Sequence, residues 1–404
     1  MAAPLSGLTI LDLSRVLSGP YCTMLAADMG ARVIKIEHPV QGDDTRAWGP
    51  PFIAGESAYF LSINRNKESV AIDFKTERGR ELLDALVAKA DVLVENFRPG
   101  TLERMGLGYA DVSKRHPRLI YVSISGFGQT GPRRMEAGYD AVAQAEGGLM
   151  SITGTSDGPP VRLGVAVADI ASGMFAFQGL LLALIARGTS GRGQHVDVSL
   201  LDSVTALLTY QAARQFATGE TPVRTGNRHM TIAPYDTFDT ADGVLVLAVG
   251  NDPQWRKLCT VLGAPDLAAD TRFATNAGRV DHYTDLRPAL ERHFERWQLD
   301  VLVAKLKAEG VPCGAVRSIA DVTGDPQILA RGMVETVMHP TAGAQRVLGI
   351  PVKLSDTPGK IHSAPPLLGQ HTASVLTGDL GVSGDEVDAL ARAGVVRCRT
   401  GLSA

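Results

Sequence analysis

The first 125 residues constrain the fold most, because strand-like and helix-like runs alternate through them. "LTILDLS" (8–14), "RVIKIE" (32–37), "SVAIDFK" (69–75), "DVLVENF" (91–97) and "LIYVSIS" (119–125) read as strands. Gly19-Pro20 opens a helix after the first of them, with proline near its first position, and a second helix is expected from about Thr76 to Ala90. Repeated strand–helix–strand units close into a parallel sheet with helices on both faces. The expected fold is therefore a doubly wound, Rossmann-like α/β domain. Its first turn, "SRVLSGP" (14–20), lacks the G-x-G-x-x-G that cradles a dinucleotide, so a nicotinamide dehydrogenase is not supported.

A chain of 404 residues exceeds one typical core, and the pattern changes after "ATGETPVRTGNRH" (217–229). "YDTFDTADGVLVLAV" (235–249) reads as a hairpin, followed by helices near 253–262 and 284–309 and a strand at "GAVRSI" (314–319). The division expected is a large domain over 1–224, a smaller α+β domain over 225–325, and a Pro/Gly-rich return to the large domain over 326–404. With 45% hydrophobic residues, 21% charged residues and a net charge of −3, nothing calls for a nucleic-acid or membrane partner. Cys22, Cys259, Cys313 and Cys398 are far apart, which argues against a disulfide framework or zinc knuckle. The start shows no secretory pattern, so a cytoplasmic location is expected. Nine histidines form no metal-ligand motif, and no metal is expected. "GTSDG" (154–158) fits a hydrolase nucleophile elbow in spelling only, since Pro159-Pro160 follow where a helix is needed.

One stretch raises a chemical question: "PPVRLGVAVADIASGMFAFQGLLLALIAR" (159–187) holds Asp169 among apolar and small residues. Arg162 is the only charge from Val161 to Ala168, and none follows Asp169 before Arg187. A carboxylate withdrawn from water costs several kcal/mol unless paired or hydrogen-bonded, on the order given for buried ions. An N-cap would explain it, holding Asp169 ionised at the start of a buried helix over 170–186. That helix, about 17 residues with Gly173, Gln178 and Gly179 inside, is short for a bilayer span. A catalytic carboxylate explains it equally well, and the two readings are compatible.

"ENFRPGTLERMGLGY" (95–109), "SISGFGQTGP" (123–132) and "GYDAVAQAEGGLMSITG" (138–154) occur in that order, with Asp169 thirty residues past Tyr139. This order of words resembles the class III CoA-transferases, a family that includes formyl-CoA transferase, carnitine CoA-transferases and α-methylacyl-CoA racemases. The resemblance runs from about Leu5 to Val396. "GDDTRAWGPPF", "SINRNKESVAI", "PPVRLGVAVADIASG" and "PPLLGQHT" are similar to its succinyl-CoA:glutarate branch.

The resemblance implies a Rossmann-like large domain, a smaller α+β domain and an interlocked homodimer. It implies no permanently bound cofactor, with coenzyme A entering as the acyl-CoA substrate and a carboxylic acid as its partner. Asp169 falls on the family's nucleophile. Arg15, Val16, Leu17, Ile72, Asp73, Phe74, Lys75, Asn96, Phe97, Arg98, Arg104, Met105, Gly138, Tyr139 and Asp140 fall on the CoA-binding wall. The formyl-CoA branch has glutamine where this chain has Leu17, and a glycine run where it has "AVGNDPQW" (248–255, with Gly250), so formyl transfer is not implied. A dicarboxylate acceptor needs a cation for its distal carboxylate, and Arg46, Arg162, Arg228 and His229 are the candidates. A racemase of the same fold is the first rival. Those relatives carry histidine where this chain has Tyr139, and tyrosine is a poor base near neutrality. A non-catalytic CoA-binding protein is the second, disfavoured by the intact Asp169.

Overall fold

The computed structural model describes residues 2–399, which divide into two compact units. The larger unit takes residues 2–149, Arg162–Tyr210 and 326–399, and the smaller takes Met150–Val161 and Gln211–Asp325. The smaller unit thus begins earlier than residue 225 and includes a detached loop. Backbone bonds from Val161 to Thr153 and from Gly226 to Gly154 tie that loop in. Arg224 adds bonds to the carbonyls of Thr155 and Gly158.

The larger unit is built on a seven-stranded sheet. Its order is Val396–Arg397, Lys67–Ile72, Arg32–Glu37, Thr9–Asp12, Val92–Glu95, Ile120–Ser125, His195–Ser199. All neighbours are parallel except the first pair. Counted along the chain, the six parallel strands run 3-2-1-4-5-6, the doubly wound order. The order reverses between Thr9–Asp12 and Val92–Glu95, so residues 13–17 and 96–98 leave their strands on either side of a crevice. Alternate strand residues feed opposite faces of the sheet. Ile10, Val33, Val92 and Val122 pack with Ala176, Leu180 and Ala183 on one side. Leu11, Ile34, Leu93 and Ile72 pack with Leu83, Leu86 and Leu376 on the other.

The helix expected over 170–186 runs Val167–Ser190 and ends where Gly191 turns left-handed at φ 69°. Its length and composition would suffice to cross a membrane. Ala168, Ala171, Gly173, Ala176, Leu180 and Ala183 form its covered stripe. The helix expected to be buried is only partly covered within this chain, because Met174, Leu182 and Ile185 are 54%, 59% and 71% exposed.

In the smaller unit, Tyr235–Asp239, Val244–Ala248 and Cys313–Ala315 form an antiparallel sheet. The helix expected over 284–309 is two, Tyr283–Phe294 and Leu299–Ala308. The break is held from the hairpin turn, where Asp242 Oδ1 accepts the Leu299 N–H at 2.7 Å. The C-terminal return contains a hairpin, Val334–His339 with Gly343–Leu348, that the Pro/Gly-rich sequence did not announce. Helices Thr372–Leu380 and Gly384–Arg392 and the edge strand Val396–Arg397 complete it.

Candidate active site

The crevice at the strand-order reversal holds a cavity of about 270 Å³. Arg15, Val16 and Ser18 line it from the first turn, Asn96, Phe97 and Arg98 from the loop after Val92–Glu95, and Ser125 and Gly126 from the end of Ile120–Ser125. Gly138 and Tyr139 line it too, and Asp169 belongs to the same wall. Close approaches at one glycine pair and at one further glycine make this closure possible. A Cβ on Gly126 would lie 2.8 Å from the Gly138 Cα, so the two loops cross only because neither has a side chain there. A Cβ on Gly173 would lie 2.6 Å from the Ser18 carbonyl oxygen. Gly173 sits one turn past Asp169 on the same helix face, so this close approach brings Ser18 to the carboxylate.

Asp169 is not the helix cap. Ala166 occupies that position without a side-chain bond, and Asp169 lies inside the first turn. The capping function comes from another element: Asp140 Oδ1 accepts the Ala168 N–H at 2.8 Å while Gln144 Nε2 donates to its Oδ2 at 2.7 Å. The helix dipole favours a charge on Asp169, and a Ser18 hydrogen bond supports it. Burial and the charge of Asp140 outweigh both and push its carboxyl up to about 7. The expectation that Asp169 is itself the cap is therefore corrected: it lies within the first turn, and Asp140 supplies the capping bond. Tyr59 feels the same field, and burial with Asp169, Asp140 and Asp43 around it raises its phenol to about 12.

The turn 15–17 is clamped from two sides. Arg15 N–H donates to Asn96 Oδ1 at 2.8 Å, and Asn96 Nδ2 returns a bond to the Arg15 carbonyl at 2.7 Å. Val16 N–H donates to Asp43 Oδ1 at 3.3 Å, holding Val16 at φ 69°, a strained region for a β-branched residue. Arg15 pairs with Asp44 at 3.2 Å and lies over the Phe97 ring at 5.4 Å. Arg15 and Phe97 also line a second cavity of about 290 Å³, together with Ile72, Asp73, Phe74, Lys75 and Met105. The residues assigned to CoA by resemblance thus gather along two cavities that share two side chains.

Several assignments fall elsewhere. Leu17 is buried against Met24 and Ile63 and leaves the lining to Val16 and Ser18. Arg104 is exposed beside the second cavity, with Nη2 3.5 Å from Thr101 Oγ1. Asp140 caps the Asp169 helix rather than lining the cavity. Arg46 is corrected most clearly: its guanidinium makes 2.7 and 2.8 Å bonds to the two Glu37 oxygens and stacks on Phe60 at 3.6 Å. Such a paired, covered cation is structural. Arg162 is exposed, donates to the Leu163 carbonyl and forms no ion pair among the described residues. Arg228, His229 and Gly250 belong to the smaller unit. There Arg228 stacks on Tyr283 at 4.1 Å, the His229 ring lies 5.2 Å from that of Tyr235, and Gly250 N–H bonds Gln254.

Sequence reasoning missed Ser18, Ser125 and Tyr59. The signal for Ser18 was present, since the first turn of a doubly wound sheet always faces the crevice. Tyr59 carries no such signal, because its approach depends on tertiary folding alone.

The family model of CoA-transferase family III matches residues 5–372. The chain is 44% identical to succinyl-CoA:glutarate CoA-transferase of Mus musculus, covering 97% of this chain and 90% of that one. It is 44% identical to succinate–glutarate CoA-transferase of Agrobacterium fabrum, over 92% of this chain and 95% of that one. The crystal structure of a CaiB/BaiF family protein from Brucella suis matches with a TM-score of 0.86 at 44% identity, covering 94% of this chain and all of that one (100%). The chain belongs to CoA-transferase family III and is a CoA-transferase.

Proposed function

We propose that the enzyme moves CoA from succinyl-CoA to a dicarboxylic acid, glutarate first among them, through covalent intermediates on Asp169. The observation that carries this reading is a part-buried carboxyl at the crevice, beside Ser18 and without a cation partner among the described residues. The Asp169 carboxylate attacks the thioester carbonyl, expels CoA thiolate and forms a mixed anhydride. The thiolate attacks the aspartyl carbonyl, giving an aspartyl-CoA thioester and releasing the donor acid as its carboxylate. The acceptor carboxylate then attacks that thioester, again expelling thiolate, which takes the acceptor acyl group and frees Asp169. Each intermediate keeps the group-transfer potential of a thioester or anhydride, so no step is steeply uphill. Hydrolysis competes at every stage, which favours a covered carboxyl over an exposed one.

The named relatives support the substrate pair. For the distal carboxylate, Arg162 is the candidate in the same unit as Asp169 with no carboxylate partner. The Met174, Leu182 and Ile185 face supports a homodimer, since exposed apolar residues along one helix mark a surface that a second chain covers. An acceptor screen against succinyl-CoA, with products read by mass spectrometry, tests the reading. We predict that glutarate outruns butyrate, and that Arg162→Ala lowers kcat/KM for glutarate roughly 10- to 150-fold while sparing butyrate. Equal use of glutarate, succinate and butyrate by the native enzyme would sink the dicarboxylate assignment and leave CoA transfer standing.

A further inference from the structure

Glu95 ends the strand Val92–Glu95 directly beneath the cleft wall and is only 6% exposed. Its Oε2 accepts the Phe97 N–H at 2.8 Å, so the carboxyl is bonded to the backbone of that wall. On the adjacent strand Ser123, in register with Glu95, hydrogen-bonds to it. Ser123 Oγ is in turn 2.9 Å from His195 Nε2 on the next strand. The His195 ring is held by stacking on Tyr109 at 4.8 Å and by the edge of Tyr121 at 5.5 Å. The charges facing Glu95 are Glu103 from the loop side and Asp197 from the His195 strand, both negative. Tyr121 lies on the Ser123 strand, and burial holds its phenol well above the ordinary range, so it stays neutral. Burial likewise holds His195 below its usual value. Among the described residues no ion pair offsets the burial of Glu95, unlike that of Asp12, Glu37 or Asp43.

We propose that Glu95 is a positioning residue for acyl-CoA: its carboxylate fixes the Phe97 backbone and thereby the wall formed by Asn96, Phe97 and Arg98, with Ser123 and His195 as the chain that orients it. The proposal rests on the reading of that wall as the CoA site. A charged acceptor makes the stronger bond to an N–H. In the ionised state Glu95 accepts from both Phe97 and Ser123. On protonation it donates to Ser123, whose hydroxyl turns to His195 Nε2, and Phe97 is left with a neutral acceptor. Burial pushes the Glu95 carboxyl up to about 7, which places this change within the working range.

The test is steady-state kinetics between pH 6 and pH 8.5 on the native enzyme, Glu95→Gln and Phe97→Ala. In the native enzyme the KM for acyl-CoA should fall roughly three- to tenfold as pH rises through about 7, the difference between a charge-assisted and a neutral hydrogen bond. Glu95→Gln should hold the low-pH value throughout, with the acceptor KM unmoved and kcat still following Asp169. Phe97→Ala should raise the acyl-CoA KM at every pH. A Glu95→Gln enzyme that keeps the native pH dependence of KM, or that loses kcat alone, overturns the proposal. A Phe97→Ala enzyme with native acyl-CoA KM overturns the CoA-wall reading, and the role of Glu95 with it.

Discussion

Two sets of carboxyl groups withdrawn wholly or partly from solvent lie in the larger unit, and the chain surrounds them differently. Asp12, Asp28, Glu37 and Asp43 each meet a cation: Lys67 at 3.1 Å, Arg65 at 2.7 Å, Arg46 at 2.7 Å and Lys35 at 2.8 Å. Asp169 and Glu95 meet none among the described residues. In the first set the neighbouring cations and hydrogen bonds overcome burial and hold Asp12, Glu37 and Asp43 below their ordinary values. In the second, burial prevails and both groups rise to about 7. The paired set joins the strands Thr9–Asp12, Arg32–Glu37 and Lys67–Ile72 and the segments packed on them. The unpaired set flanks the crevice. A carboxyl left without a counter-charge costs the fold free energy, and such groups beside a cleft are candidates for a functional role.

Removing a cation from the paired set breaks the comparison on its structural side. Lys67 Nζ donates to Asp12 Oδ2, the Pro20 carbonyl and Asn64 Oδ1, all within the core. We predict that Lys67→Met destabilises the protein by about 3–5 kcal/mol, the cost of breaking a buried pair. A chemical denaturation midpoint within error of the native one would show that Asp12 does not depend on it.

Neutralising a member of the unpaired set should act in the opposite direction. The Asp169 carboxyl is raised in the fold above its unfolded value of about 4. The folded chain therefore binds that proton more tightly, and the penalty for ionising it grows from about pH 4 to about pH 7 and is constant above. We predict that Asp169→Asn raises Tm at pH 8 by a few degrees and that the gain shrinks towards zero at pH 4, while transfer is lost. A variant less stable than the native enzyme at pH 8 would place Asp169 with the structural carboxylates.

The contrast also explains what the sequence could disclose. Asp169 stood out because its flanks are charge-free for many residues, a local signal. The strands were legible for the same reason, since apolar runs such as "LIYVSIS" need no partner to be recognised. Lys35 and Lys67 sit within strands whose pairing is set only by the 3-2-1-4-5-6 order, so their burial and their partners were hidden. Arg46 was open to misreading because Glu37, nine residues earlier, meets it only after the chain folds back. Glu95 stood in plain sight in "ENFR", but only the strand register brings Ser123 beside it. The capping of the Asp169 helix by Asp140, twenty-eight residues away at the Ala168 N–H, was likewise a tertiary fact.

The central claim is that Asp169 is the covalent relay, and trapping tests it directly. The enzyme is mixed with acyl-CoA in the absence of acceptor, quenched with borohydride or hydroxylamine, digested and examined by mass spectrometry. The account predicts that the peptide containing Asp169 changes mass, to the reduced alcohol with borohydride and to the hydroxamate with hydroxylamine, and that Asp169→Ala gives neither the change nor turnover. An unmodified Asp169 peptide from an enzyme that transfers CoA, or an Asp169→Ala enzyme that still does so, would contradict it.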